Sequence, residues 1–206
     1  MRKFLHVGCG HNRQDKAGPG FRSSQEWQEL RFDIDETVLP DVVGSMTNMS
    51  LLADNSVDAL YSAHNIEHLY PHEVPLALQE FRRVIKTEGF VVITCPDLQS
   101  VCQMVANDKL TDVAYHSPAG PITPLDMLYG HREVMARGNL FMSHRCGFTQ
   151  KVLEASLLNA GFASVAVARR STNFDLWALA SKNPIAQNEL LALAKQHFPA
   201  ANWAVI

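Results

Sequence analysis

The sequence predicts an α/β fold built on a mostly parallel sheet, and three observations carry that reading. Apolar runs of strand length alternate along the 206 residues with segments of helical periodicity. Residues 57–62, 74–86 and 90–94 form a strand, a helix and a strand with a short return, which is a βαβ unit. Near the end, residues 163–168 and 174–181 are two strands joined by only the five residues 169–173. A parallel crossover needs a dozen or more, so this last pair must run antiparallel.

The elements follow in order. Residues 3–7 are an apolar strand that starts almost at Met1 and ends in Gly8-Cys9-Gly10. Residues 30–34 are a second strand, closing on Asp33-Ile34-Asp35, and Val42-Val43 after Pro40 is a stub of a third. Residues 57–62 are the fourth. In the helix at 74–86, Val74, Leu78, Phe81 and Ile85 fall on one face, and Glu88-Gly89 closes it. The fifth strand, 90–94, is nearly continuously apolar, as expected of a strand buried on both faces. Thr149 caps a helix over 149–160 that stops at Gly161. Two segments lie outside this rhythm. Residues 96–148 are too long for a connection and read as an insertion with helices of its own. Residues 184–206 are a C-terminal tail, with a helix expected around Pro184 to His197.

Composition narrows the class. Apolar residues make up 47 % and charged residues 19 %, enough to bury a full core. Eighteen basic against twenty-one acidic residues give a net charge of -3 and no basic stripe, which argues against a nucleic-acid partner. No apolar run approaches the ~20 residues of a membrane span, and the N-terminus lacks the pattern of a signal peptide. The four cysteines form no CxxC pair. A cytoplasmic protein with no membrane partner is the expectation; the oligomeric state is not legible.

Three motifs carry chemistry. Gly8-Cys9-Gly10 at a strand end lets a ligand approach the backbone, although Arg13 stands where a dinucleotide fingerprint needs a third Gly. Asp33 follows Gly10 by 33 − 10 = 23 residues, close to the ~20 at which an acid meets ribose hydroxyls. Residues 64–68 read His-x-x-Glu-His, the inverted zincin pattern. Pro71 cuts any helix there to about two turns, so the sequence reading assigns no metal to Glu67-His68. His64 is expected to line the ligand cleft instead.

Together these pieces resemble the class I S-adenosylmethionine-dependent methyltransferases, in the branch called methyltransferase type 11. Residues 5–10 resemble its first motif and Asp33 its acidic second motif. Residues 54–62 with Ile66-Glu67-His68-Leu69 resemble its fourth-strand signature, residues 81–89 its turn into strand five, and residues 157–162 its last helix-to-strand junction. The resemblance implies a Rossmann-like seven-stranded mixed sheet in the order 3-2-1-4-5-7-6, within a methyltransferase domain at 1–183. It also implies S-adenosyl-L-methionine as cofactor, held by His6, Val7, Gly8, Cys9, Gly10, Asp33, Ile34, Ser45, Met46, Thr47, Ala63 and His64. His6 replaces the usual acid of the first motif, Ser45 the usual acid after strand three, and the polar stretch from Gly10 to Leu30 makes the first helix short or distorted.

The reaction expected is methyl transfer to an oxygen or nitrogen of a small or glycan-like acceptor under the 96–148 lid. His64, His131 and His144 are the catalytic candidates, and Tyr129, Arg132 and Arg145 the acceptor-binding ones, the arginines toward an anionic group. Two alternatives share part of the pattern: an NAD-dependent oxidoreductase, which does not predict the closing hairpin, and a non-catalytic S-adenosylmethionine-binding protein.

Overall fold

The computed structural model describes residues 1–199. The parallel half of the sheet comprises β1 (Arg2–Val7), β2 (Trp27–Asp33), the two-residue β3 (Val42–Val43), β4 (Val57–Ala63) and β5 (Ile85–Pro96). Helix α1 (Val74–Val84) makes the crossover from β4 to β5. The insertion holds α2 (Leu98–Ala106), a hairpin of β6 (Tyr115–Ser117) and β7 (Gly120–Ile122), α3 (Pro124–Tyr129) and α4 (Arg132–Ala136). Then come α5 (Gln150–Asn159), β8 (Ser164–Arg170), β9 (Asp175–Ser181) and α6 (Gln187–His197). The large sheet runs β3-β2-β1-β4-β5-β9-β8, with β9 antiparallel to both neighbours. The insertion hairpin takes two numbers, so β8 and β9 are the sixth and seventh strands of this sheet. Among the described residues, no helix is long and apolar enough to cross a membrane.

Period-two alternation sorts each strand onto two cores. Leu5, Leu60, Val91, Ile93 and Ala178 face one side, where α1 and α5 contribute Leu78, Phe81, Leu153 and Leu157. Phe4, Tyr61, Val92, Trp177 and Leu179 face the other, with Phe21, Trp27 and Leu190 of α6. No α-helix follows β1. Two single 3-10 turns, Gln14–Lys16 and Pro19–Phe21, stand there, and α6 packs on this face.

The structure corrects several boundaries. Helix α1 ends at Val84. Ile85 is extended (φ −74°, ψ 145°), fully buried, and already paired with Val57. Gly89 therefore lies inside the strand and caps no helix. A Cβ there would stand 2.9 Å from the Lys86 carbonyl oxygen and 3.0 Å from that of Asp58. β2 begins at Trp27, whose buried indole is anchored against Phe4 and Phe21, and it ends at Asp33. The β6–β7 hairpin has no counterpart in the helical insertion expected. The tail forms α6 as far as His197, and residues 200–206 lie outside the described residues.

Candidate functional site

β1, β2, β3 and β4 all point their carboxyl ends at one edge, the region where open α/β sheets bind ligands. β1 leaves the sheet through Gly8 (φ +61°) and Gly10 (φ +52°). A Cβ on Gly8 would lie 1.9 Å from Asn65 Oδ1, so only glycine fits. Asn65 donates from Nδ2 to the carbonyls of Val7 (2.9 Å) and Ala63 (3.0 Å), which ties the turn after β4 to the end of β1. Asp33 closes the loop from the other side. Its Oδ2 accepts from Gly10 N at 2.8 Å and its Oδ1 from Asp35 N at 3.0 Å. Its own carbonyl accepts from Gly44 N at 2.9 Å, which brings half-buried Ser45, Met46 and Thr47 alongside. Ile34 projects from the strand end 49 % exposed, an apolar surface beside the loop. Cys9 is fully buried, and burial pushes its thiol up to about 11, so it stays protonated.

His6 has a different task from its neighbours. Its Nδ1 meets Glu29 Oε1 at 2.6 Å and its ring packs on Tyr61 (5.2 Å between centroids), while Glu29 Oε2 accepts from Gln14 N at 3.0 Å. His6 thus fastens the post-β1 turns to β2. Its side chain faces the core and not the loop's open edge, as the strand alternation dictates.

The second half of the site begins at the exit of β4. His64 takes a left-handed backbone (φ +54°), held by its N–H on the Thr94 carbonyl at 2.8 Å. The following turn, Ile66–His68, is one 3-10 turn, as short as Pro71 foretold. Glu67 is 1 % exposed, and neither carboxylate oxygen has a hydrogen-bond partner among the described residues. His64 Nδ1 approaches Oε1 to 3.4 Å. Burial pushes the Glu67 carboxyl up, but the His64, His68 and His144 imidazoles outweigh it and hold the group below its ordinary range. Burial also lowers the His144 imidazole from its ordinary value.

The insertion returns across this turn. Arg145 N and Cys146 N both donate to the Glu67 carbonyl (2.8 and 3.2 Å). Gly130 bridges to Ser143 at φ +99°, where a Cβ would stand 2.0 Å from the Met142 carbonyl oxygen. These contacts set His144 against His68, ring centroids 4.9 Å apart. One atom from each of Glu67, His68 and His144 lies within 4.8 Å of the others. The three border a cavity of about 140 Å³ that His64, Asp126, His131, Tyr115, Met127 and Phe174 also line. Both ring nitrogens of His131 are buried without a partner among the described residues.

Of the expected site residues, the loop residues, Asp33 and Ala63-His64 converge on one edge, and His64, His131 and His144 share one cavity. The acceptor-binding trio does not. Arg132 forks onto Asp126 (Nε to Oδ1 2.7 Å, Nη2 to Oδ2 3.2 Å), which completes the capping box of α3 with Thr123. Arg145 lies over the Tyr70 ring at 4.7 Å, and Tyr129 is 62 % exposed. None of the three lines the cavity. Sequence reasoning passed over Asn65, Tyr115 and Asp126.

Residues 5–93 match the family model described as a methyltransferase domain. Solved structures share the fold over most of both chains. One is a S-adenosylmethionine-dependent methyltransferase from Thermotoga maritima, a possible histamine N-methyltransferase, with 13 % identity and TM-score 0.55, covering 89 % of this chain and 83 % of that one. A protein from Pyrococcus horikoshii has 13 % identity and TM-score 0.60, with coverage of 89 % and 82 %. A S-adenosylmethionine-dependent methyltransferase from Archaeoglobus fulgidus has 16 % identity and TM-score 0.55, with coverage of 88 % and 86 %. No curated protein matches the sequence.

Proposed function

From the premise that this chain carries a methyltransferase domain of the type 11 branch on the class I S-adenosylmethionine-dependent fold, which implies S-adenosylmethionine as cofactor, we propose that it methylates a hydroxyl oxygen of a small acceptor. The observation that carries the reading is the His131 imidazole. It stands unpartnered on the wall of a small cavity that His64 joins to the exit of β4, the side on which the sulfonium would lie in this reading. The loop 8–13 and Asp33 would take the methionine and ribose ends, with Ile34 and residues 45–47 beside the adenine.

In the step proposed, the acceptor oxygen attacks the methyl carbon. The carbon–sulfur bond breaks, its electron pair stays on sulfur as S-adenosylhomocysteine, and the hydroxyl proton passes to His131. A hydroxyl needs such a base, whereas a neutral amine does not. The volume of about 140 Å³ favours a compact acceptor such as a single sugar-like ring. The arginines expected to receive an anionic group are engaged elsewhere, so the acceptor proposed is uncharged where it meets the cavity. The test is a screen of hydroxyl-bearing and amine-bearing small molecules for S-adenosylhomocysteine release. His131→Ala should lower turnover of the responding hydroxyl acceptor by about 100-fold or more while leaving S-adenosylhomocysteine affinity intact. Release with amines alone, or full turnover in that variant, would overturn the proposal.

A further inference from the structure

We propose that Glu67, His68 and His144 form a binding site for one first-row divalent cation. The carboxylate is the starting point. Glu67 is 1 % exposed and both its oxygens lack any hydrogen-bond partner among the described residues. A buried ionised group is retained only where an opposite charge or a set of donors compensates it. The nearest donor is His64 Nδ1, 3.4 Å from Oε1, and what surrounds the carboxylate is imidazole.

His144 is already oriented as a ligand. His144 Nδ1 lies 2.8 Å from the Met127 carbonyl, which accepts its proton and leaves the Nε2 lone pair free. A ring N–H fixed on a backbone carbonyl is the usual outer partner of a metal-binding histidine. His68 faces carbonyls on both sides, Ser143 O and His64 O, each at 3.1 Å. A neutral imidazole has one N–H and can donate to only one of them, so the other contact is given up without loss when the ring turns that nitrogen to an ion. One ligand atom from each of the three residues falls within 4.8 Å of the others. An ion about 2.1 Å from each ligand sets them roughly 3–3.5 Å apart, so the triad closes on it with a shift of about an ångström.

The donor set selects the ion. One carboxylate and two imidazoles suit Zn²⁺, Mn²⁺ or Co²⁺, whereas Mg²⁺ and Ca²⁺ prefer oxygen alone. The helix-length objection to a zincin site stands, but it does not bear on this one. The third ligand comes from the insertion, carried to the turn by the Arg145 and Cys146 bonds to the Glu67 carbonyl. Three protein ligands leave positions open toward the cavity. On the methyl-transfer reading above, those positions would receive the acceptor's oxygen.

The site is tested with metal alone. Full-length protein stripped with EDTA is titrated with Zn²⁺, Mn²⁺ and Co²⁺, desalted and analysed for bound ion. The visible absorption of Co²⁺ serves as a second readout. Wild type should retain one equivalent of at least one cation. His144→Asn and Glu67→Gln should weaken it by more than the about 10–100-fold typical of outer-partner changes, with folding checked by circular dichroism. His131→Asn, which changes a cavity residue outside the triad, should keep the full equivalent. Less than one-tenth of an equivalent for all three cations, or binding unchanged in folded His144→Asn, would overturn the site. Stoichiometric, triad-dependent binding without turnover of any acceptor would uphold the site and reject the methyl-transfer reading, so the two failures are separate.

Discussion

Asp33 uses both carboxylate oxygens on backbone N–H groups, Gly10 and Asp35, so it shapes the ligand loop before any ligand arrives. Each oxygen keeps a second lone-pair direction for a ribose hydroxyl. Asp33→Ala should therefore weaken S-adenosylhomocysteine binding by about 1.5–3 kcal/mol, roughly 10–150-fold, through lost charge-assisted bonds. Isothermal calorimetry reads this directly, and unchanged affinity would remove Asp33 from the site. Gly8 makes a sharper demand. In Gly8→Ala the added methyl meets Asn65 Oδ1 at 1.9 Å in a left-handed backbone. Cofactor binding should be lost, and Gly8→Ala/Asn65→Gly should recover part of it, because the clash is relieved but the backbone strain of about 1–2 kcal/mol remains. No recovery in the double variant would mean that the backbone, not Asn65, sets the requirement. Both residues were legible in the sequence, since the strand-end glycines and the acid some twenty residues on are local spacings. Asn65 was not, because its role exists only where β4 meets β1.

At the level of elements, the insertion is an arm that delivers histidines to the end of β4. α3 begins with a capping box of Thr123 and Asp126, and Asp126 also receives Arg132. The chain then turns at Gly130 against Met142 and Ser143, which places His144 beside His68. Gly130→Ala would drive a Cβ to 2.0 Å from the Met142 carbonyl oxygen. Backbone cannot yield as a flexible side chain does, so the return strand must shift. The expected result is a catalytic defect with S-adenosylhomocysteine affinity retained, because the clash lies in the insertion and not in the loop at β1. Equal loss of both would show that the arm and the loop are not separable. The sequence marked 96–148 as an insertion and singled out His131 and His144. It assigned Arg132 and Arg145 to the acceptor because nothing local reveals that Asp126 and Tyr70 engage them.

Across the whole molecule, the face of the sheet without a helix after β1 depends on α6. His197, the last residue of α6, is fully buried, with its ring 4.5 Å from Phe21 and 4.9 Å from Phe90. Burial without a hydrogen-bond partner among the described residues lowers its imidazole to about 4 from an ordinary 6.5. The folded state thus binds this proton less readily than the unfolded one. Its contribution is fully present above pH 6.5 and is lost as pH falls from 6.5 to about 4, by roughly 3 kcal/mol in all. In denaturant titrations over that range, wild type should lose about this much more stability toward acid than His197→Leu does. A constant difference would mean that His197 does not titrate on unfolding. The sequence by itself determined the seven strands of the large sheet, the antiparallel closing pair and the glycine loop with Asp33, because strand period, helix period and connection length act over a few residues. Only the tertiary structure decided that α6 covers the open face, that Arg132 and Arg145 are already paired, and that His144 reaches Glu67 and His68. Contacts such as His68 to Ser143, 75 residues apart, depend on how the insertion folds back over the sheet, and no local spacing encodes that path.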